Sequence, residues 1–372
     1  MRQSILIKPV SSVCNIKCKY CFYEDVSNQR ETVSFGKMSL DIARDIIDNL
    51  FSQLQDGDEV TIAFQGGEPT LAGLTFYERF IEYVKSKQRN ILVNYSIQTN
   101  GIIINQKWCK FFKENDFLVG LSIDGTPMNH ELNRLDMRGR GTFQRVMQTK
   151  NLFDQNNISY NVLCVLTNIL AKDPKKVYRF IKKEKIGYVQ FIPCLDSFEP
   201  SQKNRNALTP MRFATFYDAI FNLWLKDLKN GEYISIKLFD DIFNLFVYQT
   251  ETACGLSGSC HLQNVIEADG SVYPCDFYAL DIYKLGNMRT DSFDELDCSS
   301  QARNFLNEPV IFPSICHTCP YLNYCRMGCK RMVDAMYIDS NGYFCGYQSL
   351  LNRYLPNIEE IKKCIAYIDK IG

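Results

Sequence analysis

The segment that most constrains this chain is a run of three cysteines near its N-terminus. Cys14, Cys18 and Cys21 are spaced C-x3-C-x2-C and follow a strand-like run, Ile5-Leu6-Ile7-Lys8-Pro9. Short-spaced cysteines of this kind hold iron–sulfur clusters. Three thiolates can hold three irons of a [4Fe–4S] cluster and leave the fourth iron open to bind a small molecule and pass it an electron. The alternative is a structural zinc knuckle, but zinc usually takes four ligands and no fourth Cys or His lies nearby.

Composition places the chain among soluble, multidomain proteins. It has 372 residues, enough for two or three domains, and 46% of them are hydrophobic. Lys+Arg and Asp+Glu number 42 each, which gives no electrostatic reason to expect nucleic acid or an anionic membrane as a partner. No apolar run approaches the ~20 residues of a spanning helix, and the N-terminus lacks the shape of a signal peptide. We therefore expect a cytoplasmic protein, in which sixteen cysteines indicate metal ligands rather than disulfides.

Strand-like and helix-like segments alternate through the first half of the chain. The predicted strands are Ser4–Lys8, Val60–Phe64, Val93–Ile97, Leu118–Ile123, Tyr160–Leu166 and Tyr188–Ile192. The predicted helices between them are Leu40–Leu54, Phe76–Lys87, Gln106–Asn115, Phe143–Gln155 and Lys175–Glu184. This alternation predicts right-handed βαβ units and a parallel sheet, with functional residues at the carboxyl ends of the strands.

The character of the sequence changes twice after this α/β region. Residues 196–207 are polar and predict a loop, and 209–229 and 236–248 predict helices. After residue 250 the segments are short and rich in cysteine. We therefore divide the chain into an α/β domain (1–195), a helical connector (196–250) and a cysteine-rich domain with a C-terminal helix (251–372).

Polar motifs follow the predicted strands. Gly66-Gly67-Glu68-Pro69 comes after the second strand, where glycines let the backbone approach a ligand and where carbonyls and Glu68 could receive an ammonium group. Gln98 lies at the end of the third strand, and Ser122 ends the fourth. Arg134, in the predicted loop beyond, could pair with a carboxylate, although a solvated surface arginine is equally compatible with its position. Leu195, after the sixth strand, could pack on a ligand or in the core.

With Tyr20 directly before the third cysteine, the N-terminal motif resembles that of the radical S-adenosylmethionine (SAM) enzymes. In that family SAM chelates the open iron and is cleaved reductively to a 5'-deoxyadenosyl radical. The resemblance implies a partial (β/α)6 barrel. It also implies that Gly66, Gly67 and Glu68 hold the SAM amino group and that Ser122 contacts the ribose. The other residues expected at the cofactor are Tyr20, Gln65, Gln98, Arg134 and Leu195.

The C-terminal cysteines resemble those of the SPASM domain, which binds two further [4Fe–4S] clusters. They are Cys254, Cys260, Cys275, Cys316, Cys319, Cys325, Cys329 and Cys345. By the interleaved pairing of that family, the first cluster would be held by Cys254, Cys260, Cys275 and Cys329. The second would be held by Cys316, Cys319, Cys325 and Cys345. A zinc ribbon is the alternative for the cysteines between residues 316 and 329, since C-x2-C pairs also suit zinc.

Asp276 is the candidate catalytic base. Asp269-Gly270 between two β-rich runs predicts a hairpin whose second strand would deliver Cys275 to iron and Asp276 to the opposite face. The string Tyr-Pro-Cys-Asp-Phe-Tyr resembles the anaerobic sulfatase-maturating enzymes, in which this Asp is the general base, and the likeness extends to residues 64–74. The alternative is an Asp that only caps a turn.

The resemblance implies oxidation of a Cys or Ser in a Cys/Ser-x-Pro-x-Arg segment of an unfolded or nascent sulfatase-type protein to Cα-formylglycine. The steps would be Cβ hydrogen abstraction by the 5'-deoxyadenosyl radical, proton removal by Asp276, and electron transfer to an auxiliary cluster. Three [4Fe–4S] clusters, SAM and an electron donor such as flavodoxin or ferredoxin are implied. A radical SAM enzyme that modifies ribosomal peptides (thioether, C–C crosslink or epimerisation) and a non-catalytic iron–sulfur electron carrier are the alternatives.

Overall fold

The computed structural model describes residues 2–199, 201 and 203–371 as two compact units. The first runs to Ser122 and resumes at Arg134–Tyr160 and His261–Pro309. The second comprises Ile123–Asn133, Asn161–Cys260 and the residues from Val310 onward. Because both units are discontinuous in the sequence, the domain boundaries placed at residues 195 and 250 stay a prediction.

The strands of the described part are short to medium in length. In chain order they are β1 (Arg2–Ile7), β2 (Ile16–Cys18), β3 (Glu59–Phe64), β4 (Leu92–Thr99), β5 (Leu118–Ser122), β6 (Arg134–Asp136), β7 (Tyr160–Leu166), β8 (Tyr188–Pro193), β9 (Ser235–Ile236), β10 (Val265–Ile266), β11 (Ser271–Tyr273) and β12 (Gly286–Asn287).

The α-helices are interspersed with these strands, and short 3₁₀ turns connect some of them. In chain order the helices are α1 (Phe22–Asn28), α2 (Leu40–Gln53), α3 (Leu74–Ser86), α4 (Gln106–Glu114), α5 (Pro127–Asn133), α6 (Phe143–Asn156), α7 (Pro174–Lys183), α8 (Pro210–Lys229), α9 (Lys237–Tyr248), α10 (Phe293–Asp297), α11 (Ser300–Leu306), α12 (Ser314–His317), α13 (Leu322–Cys325), α14 (Gly346–Tyr354) and α15 (Ile358–Ile371). Among the described helices, none combines the length and the apolar character needed to cross a bilayer.

The first unit is built on a mostly parallel sheet with the strand order β12-β11-β10-β1-β3-β4-β5. Strands β1, β3, β4 and β5 pair in parallel, and β10 pairs in parallel with β1 on its other side, with Leu6 opposite Val265. The chain therefore returns from residue 265 to lie beside its own N-terminal strand. Strands β10 and β11 form the antiparallel hairpin that the Asp269-Gly270 turn predicted, and β12 pairs antiparallel with β11.

Alternation and helical periodicity explain the core of the first unit. Ile5 and Ile7 on β1 and Val60, Ile62 and Phe64 on β3 are at most 1% exposed, as expected where every second residue faces the covering helices. The Phe64 ring meets the rings of Tyr77 and Phe80 on α3 edge-on and stacks with the ring of Phe117, just before β5. This packing fixes the strand ends at which the candidate residues stand.

The second unit carries the parallel strands β7, β8 and β9 and the long helix α8. Thr209 caps α8 by accepting the backbone N–H of Arg212, and Pro210 occupies the first turn. Helices α7 and α14 pack on α8, and the rings of Trp224, Phe239 and Tyr354 meet at the centre.

The α/β class and the six strands are confirmed, each strand within two residues of its predicted bounds. Within the predicted loop 196–207, residues 200 and 202 lie outside the described part of the chain. One local prediction was wrong: β11 ends at Tyr273, so Cys275 and Asp276 lie beyond the strand. Pro274 lacks the N–H that would continue the ladder. Cys275 remains extended, with φ −152° and ψ 146°, and Asp276 opens a 3₁₀ turn.

Candidate functional site

The three N-terminal cysteines lie on one loop that leaves β1, passes through β2 and enters α1. All three are partly accessible. Burial raises the pKa of the Cys14 thiol to about 11, with Glu68 and Cys21 among the groups that add to the rise. Burial also raises the pKa of the Cys21 thiol, and the positive charge of Arg134 partly offsets this rise. Thiols of this kind lose their protons when iron binds, because the thiolate is the ligand.

Arg134 stands beside this loop, in a strand rather than in the predicted loop. Strand β6 pairs antiparallel with β2 and sets Arg134 opposite Cys18. Its Nη1 is 3.9 Å from the Cys18 Sγ, and its guanidinium carbon is 5.6 Å from the centre of the Tyr20 ring. Only 7% of Arg134 is exposed, so the alternative of a solvated surface arginine is wrong. A buried guanidinium next to the cluster loop is suited to binding a carboxylate.

Gly66 and Gly67 bring the end of β3 against the backbone that precedes Cys14. The Gly67 and Glu68 N–H groups donate to the carbonyl oxygens of Ser11 and Val13, at 2.8 and 2.9 Å. A Cβ on Gly67 would overlap the Val13 carbonyl, and Gly66 has φ +123°. The glycines were predicted to let the backbone approach a ligand, and here they let it pack against the segment that precedes Cys14. A side chain at residue 67 would displace that segment.

The Glu68 carboxylate is buried and fully engaged by neutral donors. It accepts the Thr70 N–H (3.1 Å) and hydroxyl, the Thr99 hydroxyl (2.7 Å) and the Asn100 N–H (2.7 Å). Burial raises the pKa of Glu68, and these hydrogen bonds oppose the rise. The Glu68 side chain thus joins the segments that follow β3 and end β4. Because its carboxylate is already engaged, the backbone carbonyls of the Gly66-Gly67-Glu68-Pro69 motif are the groups that could accept the SAM ammonium group.

Gln98 and Ser122 meet at the ends of adjacent strands. The Gln98 Nε2 donates to the Ser122 Oγ at 3.0 Å, so two of the expected cofactor contacts lie together in the first unit. Leu195 lies in the second unit and is 7% exposed. Its contact with a cofactor stays a prediction.

Asp276 is held at both carboxylate oxygens. The Lys8 Nζ lies 2.6 Å from Oδ1, and the Gln65 Nε2 donates to Oδ2 at 2.7 Å. Its own backbone N–H donates to the Gln263 Oε1 at 3.1 Å. Asp276 is 8% exposed, and its two carboxylate oxygens contact side chains that are distant in the sequence, as expected of a positioned carboxylate rather than of one that only caps its own turn.

Sequence reasoning missed the charged residues behind Asp276. Glu267 lies 3.9 Å from Lys8 and accepts the Arg30 Nη1 at 2.8 Å and the Tyr23 hydroxyl. Burial favours a higher pKa for Glu267, but Lys8, Arg30 and Tyr23 outweigh it and lower the pKa of this carboxyl. A lysine at the end of the first apolar run and a glutamate directly after β10 were the available signals, because charged residues are seldom buried without a partner.

Four of the C-terminal cysteines line one cavity in the second unit. Cys316, Cys319, Cys325 and Cys345 share it with apolar and aromatic side chains, among them Tyr337 and Leu351. Burial raises the pKa of Cys325 to about 11, and the other three thiols add to the rise. The four cysteines predicted to hold the second auxiliary cluster thus lie together around one apolar cavity.

Three of the other four cysteines, Cys254, Cys260 and Cys329, also belong to the second unit. Burial raises the pKa of Cys329, with Cys260 and Cys254 among the groups that raise it further. Gly255 has φ +71°, and a Cβ there would lie 2.9 Å from the Cys329 Cβ. Cys275 belongs to the first unit, and its pairing with these three stays a prediction.

The cysteine sets are compatible with iron–sulfur clusters. Among residues 2–199, 201 and 203–371, no three His, Cys, Asp or Glu side chains converge on a point that one metal ion would occupy. A cluster needs a wider arrangement, because each thiolate binds a different iron. Four thiols around one cavity, Cys316, Cys319, Cys325 and Cys345, could supply the four ligands of such a cluster.

Two family models match the chain. Residues 9–181 match the radical SAM superfamily, and residues 254–320 match SPASM, an iron–sulfur cluster-binding domain. These domains imply iron–sulfur clusters and SAM as cofactors.

Individual proteins match along almost the whole length. The cysteine-type anaerobic sulfatase-maturating enzyme of Clostridium novyi (strain NT) is 40% identical over 369 residues, 98% of each chain. The solved structure of native anSMEcpe with bound AdoMet is 36% identical, with a TM-score of 0.89 over 97% of this chain and 99% of that one. The same protein with bound AdoMet and Cp18Cys peptide is 35% identical, with a TM-score of 0.88 over 98% of this chain and 100% of that one.

Proposed function

The chain belongs to the anaerobic sulfatase-maturating enzymes of the radical SAM family, and we propose that it oxidises a cysteine side chain of a sulfatase-type protein to Cα-formylglycine. The 40% identity to a cysteine-type enzyme supports cysteine as the target. The peptide bound to the solved relative supports a flexible segment as the substrate, and we propose a Cys-x-Pro-x-Arg sequence within it.

The residues around the cysteine loop would hold the first cluster and SAM. Cys14, Cys18 and Cys21 would ligate three irons, Arg134 would receive the SAM carboxylate, and the backbone of Gly66-Gly67 would receive its amino group. Two auxiliary clusters on the eight later cysteines would bring the total to three. When bound, these groups would supply the radical that takes a hydrogen atom from the substrate Cβ and would accept the second electron.

Asp276 would take the proton. After one hydrogen atom has left the cysteine Cβ, one proton and one electron must still leave to give a thioaldehyde. Water then exchanges sulfur for oxygen, giving the aldehyde and hydrogen sulfide. The observation that carries this role is the pair of contacts to Asp276, from Lys8 at 2.6 Å and Gln65 at 2.7 Å. Lys8 and Gln65 each contact one carboxylate oxygen, and together they fix the orientation of the proposed base.

The test separates proton removal from hydrogen abstraction. Asp276→Asn keeps the size of the side chain but removes the base, which typically costs about 10²–10⁴-fold in rate. With a Cβ-deuterated Cys peptide, reduced enzyme and SAM, deuterium should still enter 5'-deoxyadenosine while formylglycine formation collapses, as read by mass spectrometry.

The matched control is Asp281→Asn, five residues further on, whose carboxylate accepts the Glu31 N–H. It should behave as the wild type does. A wild-type yield of formylglycine from Asp276→Asn would refute the role. A wild-type enzyme that oxidises neither Cys nor Ser peptides would favour the ribosomal-peptide alternative.

A further inference from the structure

We propose that Arg30 is a positioning residue for this reaction: by neutralising Glu267, it leaves Lys8 to hold Asp276. The inference rests on the proposed role of Asp276. It concerns residues that lie behind the carboxylate, directly after β1, after α1 and after β10, and that touch neither cofactor nor substrate in the arrangement proposed above.

The group consists of two cations and two carboxylates. Lys8 and Arg30 are the cations, Glu267 and Asp276 are the carboxylates, and the Tyr23 ring lies under the Lys8 Nζ at 3.5 Å. The side chains of Lys8, Arg30 and Glu267 are 0% exposed, and that of Asp276 is 11% exposed. Because water hardly reaches these charges, they must balance one another.

Lys8 is closer to one carboxylate than to the other. Its Nζ is 2.6 Å from Asp276 and 3.9 Å from Glu267. Glu267 does not compete more strongly because Arg30 already binds its Oε1 at 2.8 Å. Arg30 is itself held by a hydrogen bond from Nη2 to the Val33 carbonyl, at 3.1 Å. Each carboxylate therefore has one close cation: Lys8 for Asp276 and Arg30 for Glu267.

Without Arg30 this distribution cannot persist. Lys8 would be the single cation between two buried carboxylates. The Glu267 Oε2 is a buried oxygen with no hydrogen-bond partner among the described residues, so it could accept Lys8 at once. A shift of Lys8 toward Glu267 by about an ångström would leave Asp276 oriented by Gln65 alone. A misplacement of that size costs on the order of 100-fold in a positioned reaction.

The same reasoning predicts compensation. Changing Glu267 to a neutral side chain together with Arg30 removes one charge of each sign. Lys8 and Asp276 then remain as a balanced pair, and Lys8 has no second carboxylate to approach. Replacing both members of a buried ion pair is often neutral for folding, so recovery of folded protein alone would not distinguish the two roles. The yield of formylglycine per 5'-deoxyadenosine does distinguish them, because a smaller amount of folded enzyme lowers both products equally.

The experiment uses the reconstituted enzyme with a Cys peptide and measures formylglycine formed per 5'-deoxyadenosine. For Arg30→Met we expect full iron content, SAM cleavage within about threefold of wild type, and a product ratio that falls by roughly 10–100-fold. For Arg30→Met with Glu267→Gln we expect the ratio to return to within a few-fold of wild type. Arg89→Met is the matched control, an exposed arginine paired with Asp56 at 2.8 Å, and should leave the ratio unchanged.

Two results would overturn the proposal: an unchanged ratio in Arg30→Met, or a double variant that is no better coupled than the single one. If Arg30→Met loses part of its iron, the ratio of formylglycine to 5'-deoxyadenosine from the enzyme that keeps its iron decides, because only that enzyme forms either product. A lowered ratio supports the proposal and an unchanged ratio contradicts it. Absence of formylglycine from the wild type would instead count against the proposed function, so the two failures are distinguishable.

Discussion

Two buried glutamates of the first unit are in opposite electrostatic situations. Glu68, beside the cysteine loop, is surrounded by hydroxyl and backbone N–H donors, and burial raises its pKa. Glu267, behind Asp276, is equally buried but contacts Lys8 and Arg30, and its pKa is lowered. Burial alone therefore does not decide the charge of a carboxyl group, because the partners supplied by distant parts of the chain decide it.

The difference matches the two halves of the proposed reaction. The Glu68 region supports the loop on which the cofactor would be held, and neutral hydrogen bonds suffice to fix its backbone. The Glu267 region supports a group that must accept a proton, and it does so with full charges. The two regions should thus fail in different ways when they are altered.

The largest expected effect separates the start of the reaction from its completion. Changing Cys14, Cys18 and Cys21 together to Ala should remove all SAM cleavage and about four of some twelve irons, because one of three clusters is lost. Asp276→Asn should keep all the iron and the SAM cleavage. Iron analysis and 5'-deoxyadenosine measurement check this. Stoichiometric zinc in the triple variant would contradict the assignment of the remaining cysteines.

A smaller effect concerns stability in the Glu68 region. Glu68→Ala leaves the donors on Thr70, Thr99 and Asn100 without their acceptor, at about 1–3 kcal/mol for each unsatisfied group and a combined loss of roughly 3–5 kcal/mol. Denaturant unfolding of the cluster-free protein measures it. Glu59→Ala, at the start of the strand that precedes Glu68, removes a pair with the exposed Arg2 and should cost at most about 1 kcal/mol. Equal losses would show that the hydrogen bonds of Glu68 stabilise nothing.

The smallest expected effect is the dependence of stability on pH. The lowered pKa of Glu267 gives stability that is present above the unfolded value of about 4.3 and is lost as pH falls further, through the folded pKa. The raised pKa of Glu68 has the opposite sign: its contribution is fully present below about 4.3 and is lost as pH rises through the folded pKa.

Urea unfolding of the cluster-free protein between pH 7 and pH 3.5 should reveal both signs. The double variant Arg30→Met with Glu267→Gln should lose less stability on acidification than the wild type, because the lowered pKa of Glu267 no longer contributes. Glu68→Gln should lose more than the wild type. Parallel curves for all three proteins would mean that the two carboxyl groups do not differ.

Much of this arrangement could be predicted from local patterns. The six strands of the α/β region follow from apolar runs and the hairpin from Asp269-Gly270, both of which depend only on neighbouring residues. Chemistry was predictable where spacing carries it, as in the loop of Cys14, Cys18 and Cys21. The strand predicted through Asp276 was wrong because Pro274 ends the ladder, a local signal that alternation alone ignores.

What could not be predicted depends on residues far apart in the sequence. Lys8 at the end of an apolar run and Glu267 after β10 indicate buried charges. The residues near them in the sequence do not show which residue of opposite charge each one pairs with. Arg134 was assigned to a loop because β6 has only three residues, too few to show a period of two. Its burial follows from pairing with β2, which lies more than a hundred residues earlier.

The return of the chain to its first strand also has a consequence for biosynthesis. Lys8 and Arg30 leave the ribosome early, whereas the carboxylates that neutralise them follow some 240 residues later, as the separation of Arg30 from Glu267 by 237 positions shows. Until β10 has emerged and docked on β1, burying these two cations would be strongly unfavourable. The N-terminal part of a nascent chain should therefore stay open and depend on late-synthesised sequence to close, which makes the assembly of this unit slow and non-local.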